Sequence, residues 1–110
     1  MAVAPGAVCW TEFPYSDLSE IKPRPVVVLK PLEHGDVIVC MITSKSVKSK
    51  YAIDFSDGFV CRGKPLSGSI RPDKIFTAHR DNLLNLTALP QDKMSEVLSR
   101  LREIFSEIDT

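Results

Sequence analysis

Residues 24–43 read Arg24-Pro25-Val26-Val27-Val28-Leu29-Lys30-Pro31-Leu32-Glu33-His34-Gly35-Asp36-Val37-Ile38-Val39-Cys40-Met41-Ile42-Thr43. Two short runs rich in β-branched side chains, Pro25–Leu32 and Val37–Thr43, flank Glu33-His34-Gly35-Asp36. Such runs read as strands, and a short link with a glycine free to take positive φ suits a hairpin turn. The stretch predicts an antiparallel hairpin. Upstream, Val8–Phe13 alternates apolar and polar side chains around Trp10, which predicts a further strand. Between them Pro14–Pro23 is too long for a tight turn and too rich in proline and polar groups for a regular element, and loops of that kind often carry function.

Downstream, Tyr51–Phe55 and Phe59–Cys61 fit short strands around a Ser56-Asp57-Gly58 turn, and Gly68–Arg71 and Lys74–Ala78 fit two more on either side of Pro72. Proline cannot donate to a ladder, so Pro72 belongs at an edge or a bulge. After Asn85–Leu89 the period changes: Met94, Val97, Leu98, Leu101, Ile104, Phe105 and Ile108 recur at steps of three and four, one face of an amphipathic helix. Pro90 suits its first turn, with Gln91 and Asp92 beside it, and the apolar stripe reads as core packing. Strands followed by one terminal helix predict a small, strongly bent antiparallel sheet or barrel with the helix packed on it. That architecture hosts many functions and names none.

The chain has 110 residues, 44% hydrophobic and 25% charged, with 14 basic and 14 acidic side chains. Those values belong to the soluble globular class, and the length suits one domain over residues 1–110 with a core that needs no staples. The apolar runs fall far below the roughly 20 residues of a membrane helix, and the start shows no basic-then-apolar leader, so a cytoplasmic protein is expected. Neutrality conceals an asymmetry: residues 37–80 hold 8 basic and 3 acidic groups, while both flanks are net acidic. A locally positive middle can hold a phosphate backbone, because steering follows the local field; a solvated loop of scattered lysines has the same composition. Cys9, Cys40 and Cys61 are odd in number and lack metal-type spacing, so they read as buried reduced thiols. His34 and His79 stand far apart, each away from other ligand types, and no metal or other cofactor is expected.

Several segments carry a resemblance when taken in order. They are Pro5-Gly6-Ala7-Val8-Cys9-Trp10-Thr11-Glu12-Phe13-Pro14, Arg24-Pro25-Val26-Val27-Val28-Leu29, Ile42-Thr43-Ser44 and Ser69-Ile70-Arg71-Pro72-Asp73-Lys74-Ile75-Phe76-Thr77, followed by the Met94-led helix. In this order and spacing the chain resembles the PemK/MazF family of toxin–antitoxin ribonucleases, nearly end to end. The resemblance implies an SH3-like β-barrel with a C-terminal helix, a homodimer, and metal-independent cleavage of single-stranded RNA, usually messenger RNA. It also implies a cognate antitoxin whose tail covers the RNA groove. By position, Arg24 matches the family's arginine at the scissile phosphate, and Thr43 the strand-end threonine that bonds a phosphate or orients that arginine. Arg71 and Asp73 match the Arg-x-Asp pair, the aspartate as base and the arginine as acid or charge stabiliser. Two segments depart from the pattern: Asp17-Leu18-Ser19-Glu20 stands where the family often has Gly-(Ser/His)-Glu-Gln, and Ala78-His79 where it often has Ile/Val-Asp.

The chemistry needs few groups. RNA supplies its own nucleophile, the ribose 2′-hydroxyl, so cleavage takes a base near that hydroxyl, positive charge at the phosphorane and an acid near the leaving 5′ oxygen. Pro72 favours an extended Arg71, which would project Arg71 and Asp73 to one strand face. Arginine is permanently protonated, so Arg24 and Arg71 are assigned to transition-state charge. For substrate binding the candidates are Tyr15 for stacking on a base, Ser19 and Glu20 on the long loop, and Ser44, Lys45, Lys48 and Lys74 along the phosphates. Each has a plainer alternative: Arg24 paired with Asp17 or Glu20, Arg71 with Asp73, Thr43 and Ser44 capping local backbone, the lysines solvated. Trp10 reads as core or dimer interface, and His79 as a proton donor only if the fold brings it to Arg71. A small barrel that binds RNA or peptide without catalysis is the alternative function.

Overall fold

The computed structural model describes residues 3–14, 21–43, 48–61 and 64–106. Among these residues six strands form one antiparallel sheet: β1 (Ala7–Pro14), β2 (Ile21–Pro31), β3 (Asp36–Thr43), β4 (Ile53–Cys61), β5 (Lys64–His79) and β6 (Leu84–Ala88), in the order β4-β5-β3-β2-β1-β6. The sheet curls toward a barrel, and the helix α1 (Gln91–Ser106) follows β6. This is the SH3-like arrangement that the sequence led us to expect.

The β2–β3 hairpin closes through a short turn at Glu33–Gly35, where His34 has φ 61° and Gly35 has φ 81°. The positive φ favours glycine here, and a Cβ on Gly35 would lie 2.6 Å from His79 Nε2, so the imidazole would have to shift. The neighbouring strand begins earlier than Pro25. Pro23 and Arg24 are already paired with Glu12 and Thr11 of β1, so Pro14 and Ile21–Pro23 of the expected loop belong to strands, and 15–20 lie outside the described residues. Two prolines are tolerated there because, among the described residues, the pairing of β2 with β3 reaches only Val26 and leaves no ladder on that side to interrupt.

Two further expectations are corrected. Ser56-Asp57-Gly58 is not a hairpin turn: Phe55 pairs with Gly68 and Phe59 with Leu66, so the segment is an irregularity inside the single strand β4. Gly68–Arg71 and Lys74–Ala78 are likewise one strand. Pro72 lies in a bulge, since Arg71 pairs with Met41 and Ile75 with Cys40.

Alternation divides the buried side chains between the two faces of the sheet. Val8, Val27, Leu29, Cys40, Ile42, Ile53, Ile70 and Leu89 pack with Val97 of α1, with Met94 and Leu101 against them. The opposite face buries Ala7, Cys9, Val26, Val28, Val37, Val39 and Leu83. Leu98 and Phe105, assigned to the packed stripe by their spacing, are 37% and 59% exposed. They lie outside the narrower arc of Met94, Val97 and Leu101 that meets the sheet; Ile108 lies outside the described residues. Among the described residues no helix is long and apolar enough to cross a membrane.

Candidate functional site

Strand register decides which polar residues meet. Val26 of β2 pairs with Met41 of β3, and Met41 pairs with Arg71 of β5. Arg24 and Thr43 each lie two residues beyond that Val26–Met41 pair, at the same end and on the same face, because side chains alternate with period two. Thr43 pairs with Ser69, and Arg24 with Thr11. One face at one end of the sheet thus carries Thr11, Arg24, Thr43, Ser69 and Arg71. With strands about 4.8 Å apart and about 3.3 Å per residue, the Cα atoms of Arg24 and Arg71 are roughly 12 Å apart. Two arginine side chains can converge across that span on one anion.

Burial differs along this face. Thr11 and Ser69 are buried at 4% and 0% exposure, so their hydroxyls belong to the floor. Thr43 and Arg24 are half-buried, and the Arg24 Nε is shielded from solvent. The bulge over 72–74 adds three residues to β5 with no counterpart on β3, which turns Asp73 back toward Arg71. Arg71 donates from Nε to Asp73 Oδ1 at 3.0 Å and from Nη2 to Asp73 Oδ2 at 2.9 Å. The fork matches both carboxylate oxygens, the strongest form of this pair. The side chains are 18% and 26% exposed, so solvent and ligands reach them.

The hydrogen bonds from Arg71 hold the Asp73 carboxyl below its ordinary range, with a smaller contribution from the nearby Lys74 charge, while Asp73 in turn raises Arg71. Asp73 is therefore ionised at neutral pH but a poor proton acceptor while the fork is closed. The plainer reading of Arg71, paired with Asp73, is thus what the structure shows. Behind the pair, burial pushes the Cys40 thiol up to about 12, and burial also raises Cys9. Both behave as small apolar core residues.

Of the predicted site residues, the fold brings Arg24, Thr43, Arg71 and Asp73 to one end of the sheet, with Lys74 exposed on the bulge. Lys48 is exposed on the connection that follows Thr43. Tyr15, Ser19, Glu20, Ser44 and Lys45 lie outside the described residues, as do Asp17 and the side chain of Cys61. Trp10 is half-buried. His79 does not reach Arg71: it pairs with Asp36, eight positions along β5, and its Nδ1 accepts the Asp81 N–H at 3.1 Å. Three residues of the site face had no role assigned from sequence, namely Thr11, Ser69 and Asp54. Asp54 pairs with Ser69 from the other side, and Ile53 beside it points into the core. Its alternation was readable, but its neighbours follow only from register. Among the described residues, no three His, Cys, Asp or Glu side chains come together as a metal site.

Residues 4–105 match the family described as PemK-like, MazF-like toxin of type II toxin–antitoxin systems. MazF from Deinococcus radiodurans superposes with a TM-score of 0.78 at 20% identity, over 96% of this chain and 98% of that one. A mycobacterial endoribonuclease in complex with its cognate antitoxin gives 0.74 at 17% identity, over 96% of each chain. Identities this low speak for the fold alone. No curated protein matches the chain by sequence.

Proposed function

The chain belongs to the PemK-like, MazF-like toxins of type II toxin–antitoxin systems, and from that premise we propose that it is an endoribonuclease cutting single-stranded messenger RNA at short sequences. The observation that carries this reading is the shared sheet face of Arg24, Thr43 and Arg71 with Asp73 clamped beside it. A phosphate seated there meets two permanent cations and a half-buried hydroxyl, which suits the extra negative charge of a phosphorane.

In this mechanism the incoming phosphate takes the Arg71 fork and Asp73 is released. Freed of its strongest donor, the carboxylate becomes a better base and accepts the proton of the ribose 2′-hydroxyl. The 2′ oxygen bonds to phosphorus, the bond to the 5′ oxygen breaks, and that oxygen leaves as a hydroxyl after taking a proton from solvent water, to which Asp73 later returns the proton it accepted. The products are a 2′,3′-cyclic phosphate and a 5′-hydroxyl end. Arg24 and Arg71 supply charge, Thr43 orients Arg24 or the phosphate, and fixed side-chain cations take the role a metal has in other nucleases. Ser44, Lys45, Lys48 and Lys74 follow the flanking phosphates, Tyr15 stacks on a base, and Ser19 and Glu20 contact the RNA from the long loop. The protein acts as a single-domain, cytoplasmic homodimer, restrained by a cognate antitoxin whose tail covers this face.

The closed Arg71–Asp73 fork also favours a second reading, a binding module of the same fold in which the pair is structural. Incubating purified protein with a long unstructured RNA in EDTA, and mapping the cuts, separates the two. Cleavage at a recurring short sequence, lost in Arg24→Ala, supports the nuclease; intact RNA with folded protein supports the module. Neutralisation by a co-expressed acidic-tailed protein encoded beside it tests the antitoxin role.

A further inference from the structure

Asp54 is a carboxylate on a face otherwise built to attract phosphate. Ile53 is buried in the core at 2% exposure, so alternation turns Asp54 to the opposite face, the one that carries Ser69, Thr43 and Arg71. Asp54 pairs with Ser69, and Ser69 pairs with Thr43, which sets three polar residues in a row across β4, β5 and β3. Arg71 is two residues from Ser69, diagonal to Asp54 at roughly 8 Å between Cα atoms. The Asp54 backbone is anchored, since Lys93 Nζ of α1 donates to its carbonyl oxygen at 3.3 Å.

The two described acids beside Arg71 are in different states. Asp73 is held by both arms of the Arg71 fork, whereas the Asp54 carboxylate is exposed and has no side-chain partner among the described residues. A negative charge at this distance opposes a phosphate on Arg71, and a donor on the same ligand offsets that repulsion. Within a nucleotide the ribose 2′-hydroxyl offers a single donor, and a pair of adjacent donors is found only on a base. A carboxylate offers two parallel acceptors and no donor, and among the four bases guanine alone presents two adjacent donors, N1–H and the N2 amino group, on its Watson–Crick edge. Adenine and cytosine offer a single amino group to such a fork, uracil a single N3–H.

We propose that Asp54 is a specificity-determining residue that reads the Watson–Crick edge of a guanine adjacent to the phosphate held at Arg71. The inference rests on the RNA reading of this face but not on cleavage. A bidentate base contact of this kind discriminates by about 10- to 100-fold against a wrong base.

The test is sequencing of RNA retained from a random single-stranded pool carrying 2′-fluoro ribose, which removes the nucleophile so that binding is read without cutting. Wild-type protein is expected to enrich guanine at one position, and inosine there, which lacks the N2 amino group, is expected to bind about 10-fold more weakly. Asp54→Ala is expected to lose the enrichment while holding the unselected pool more tightly at low salt, because a repelling charge is gone; Asp54→Glu is expected to retain part of the preference. Circular dichroism checks that each variant is folded. Retained RNA without guanine enrichment, or enrichment that survives Asp54→Ala, overturns the proposal. An unmodified pool run in parallel keeps the two readings apart: guanine-selective binding without cleavage sinks the nuclease and leaves the Asp54 contact standing. Cleavage by a protein whose retained RNA shows no guanine preference does the reverse, and absence of both sinks both.

Discussion

Asp73→Asn is expected to move binding and catalysis in opposite directions. Asp73 occupies both donor arms of Arg71 at 2.9 and 3.0 Å, so under the proposed function RNA displaces a carboxylate before it gains the guanidinium. The pair is about a fifth to a quarter exposed, and exposed pairs contribute roughly 0–1 kcal/mol; two-pronged geometry places this one near the upper end, at about 1 kcal/mol. Asparagine keeps the size and removes the charge. Relief of that competition corresponds to RNA binding up to about fivefold tighter, with a further gain at low salt from the lost repulsion. Cleavage is expected to fall by about 10²- to 10⁴-fold, the usual contribution of a positioned base. Fluorescence anisotropy with an oligonucleotide carrying 2′-deoxyribose at the cut gives the affinity, and single-turnover cleavage of the all-ribose form gives the rate. Weaker binding in Asp73→Asn would show that Asp73 supports the phosphate site rather than competing for it, and an unchanged rate would remove it as the base.

Three further outcomes follow from the geometry. Gly35→Ala forces a Cβ to 2.6 Å from His79 Nε2 at a φ of 81°, which is expected to cost about 1–3 kcal/mol and to lower Tm by roughly 5–15 °C in a thermal melt; an unchanged Tm would contradict the tight turn. Because Arg71 lowers Asp73 while staying charged itself, the pair stabilises the fold above the ordinary carboxylate value near 4 and is lost as pH falls through the lower folded value. The stability difference between wild type and Asp73→Asn, at most about 1 kcal/mol in urea titrations near pH 6, is expected to vanish by about pH 2, and a difference that grows on acidification would refute the pairing. Cys40, fully buried with its thiol pushed up to about 12, is expected to resist iodoacetamide at pH 8 in the native protein and to react in urea, as peptide mass mapping would show; fast native labelling would contradict its place in the core.

The parts of the fold legible in the sequence are those fixed by local pattern. The 24–43 hairpin was readable because β-branched runs flank a link whose glycine takes the φ the turn needs, and α1 because its apolar spacing changes period after β6. Arg71 and Asp73 could be paired from their i, i+2 spacing, but the bulge over 72–74, rather than the plain alternation expected around Pro72, turns Asp73 back to Arg71. Ser56-Asp57-Gly58 was misread because turn-forming residues also suit a bulge, and only the pairing of Phe55 and Phe59 with the same strand distinguishes the two. Leu98 and Phe105 were misplaced because spacing gives the width of an apolar arc but not how much of it the sheet covers. The site was legible in its residue types and not in its assembly. Arg24, Thr43, Ser69 and Asp54 come together through register among four strands, a long-range property that no window of sequence contains.

The central claim is that this face cuts RNA by using the substrate's own 2′-hydroxyl. Once a cut site is mapped, a synthetic RNA spanning it with one 2′-deoxyribose on the 5′ side of the scissile phosphate tests that claim most directly. The account predicts that this single change abolishes cleavage while binding persists, and that the all-ribose RNA yields a 2′,3′-cyclic phosphate and a 5′-hydroxyl. Equal cleavage of both substrates, with a 3′-hydroxyl and a 5′-phosphate as products, would contradict it.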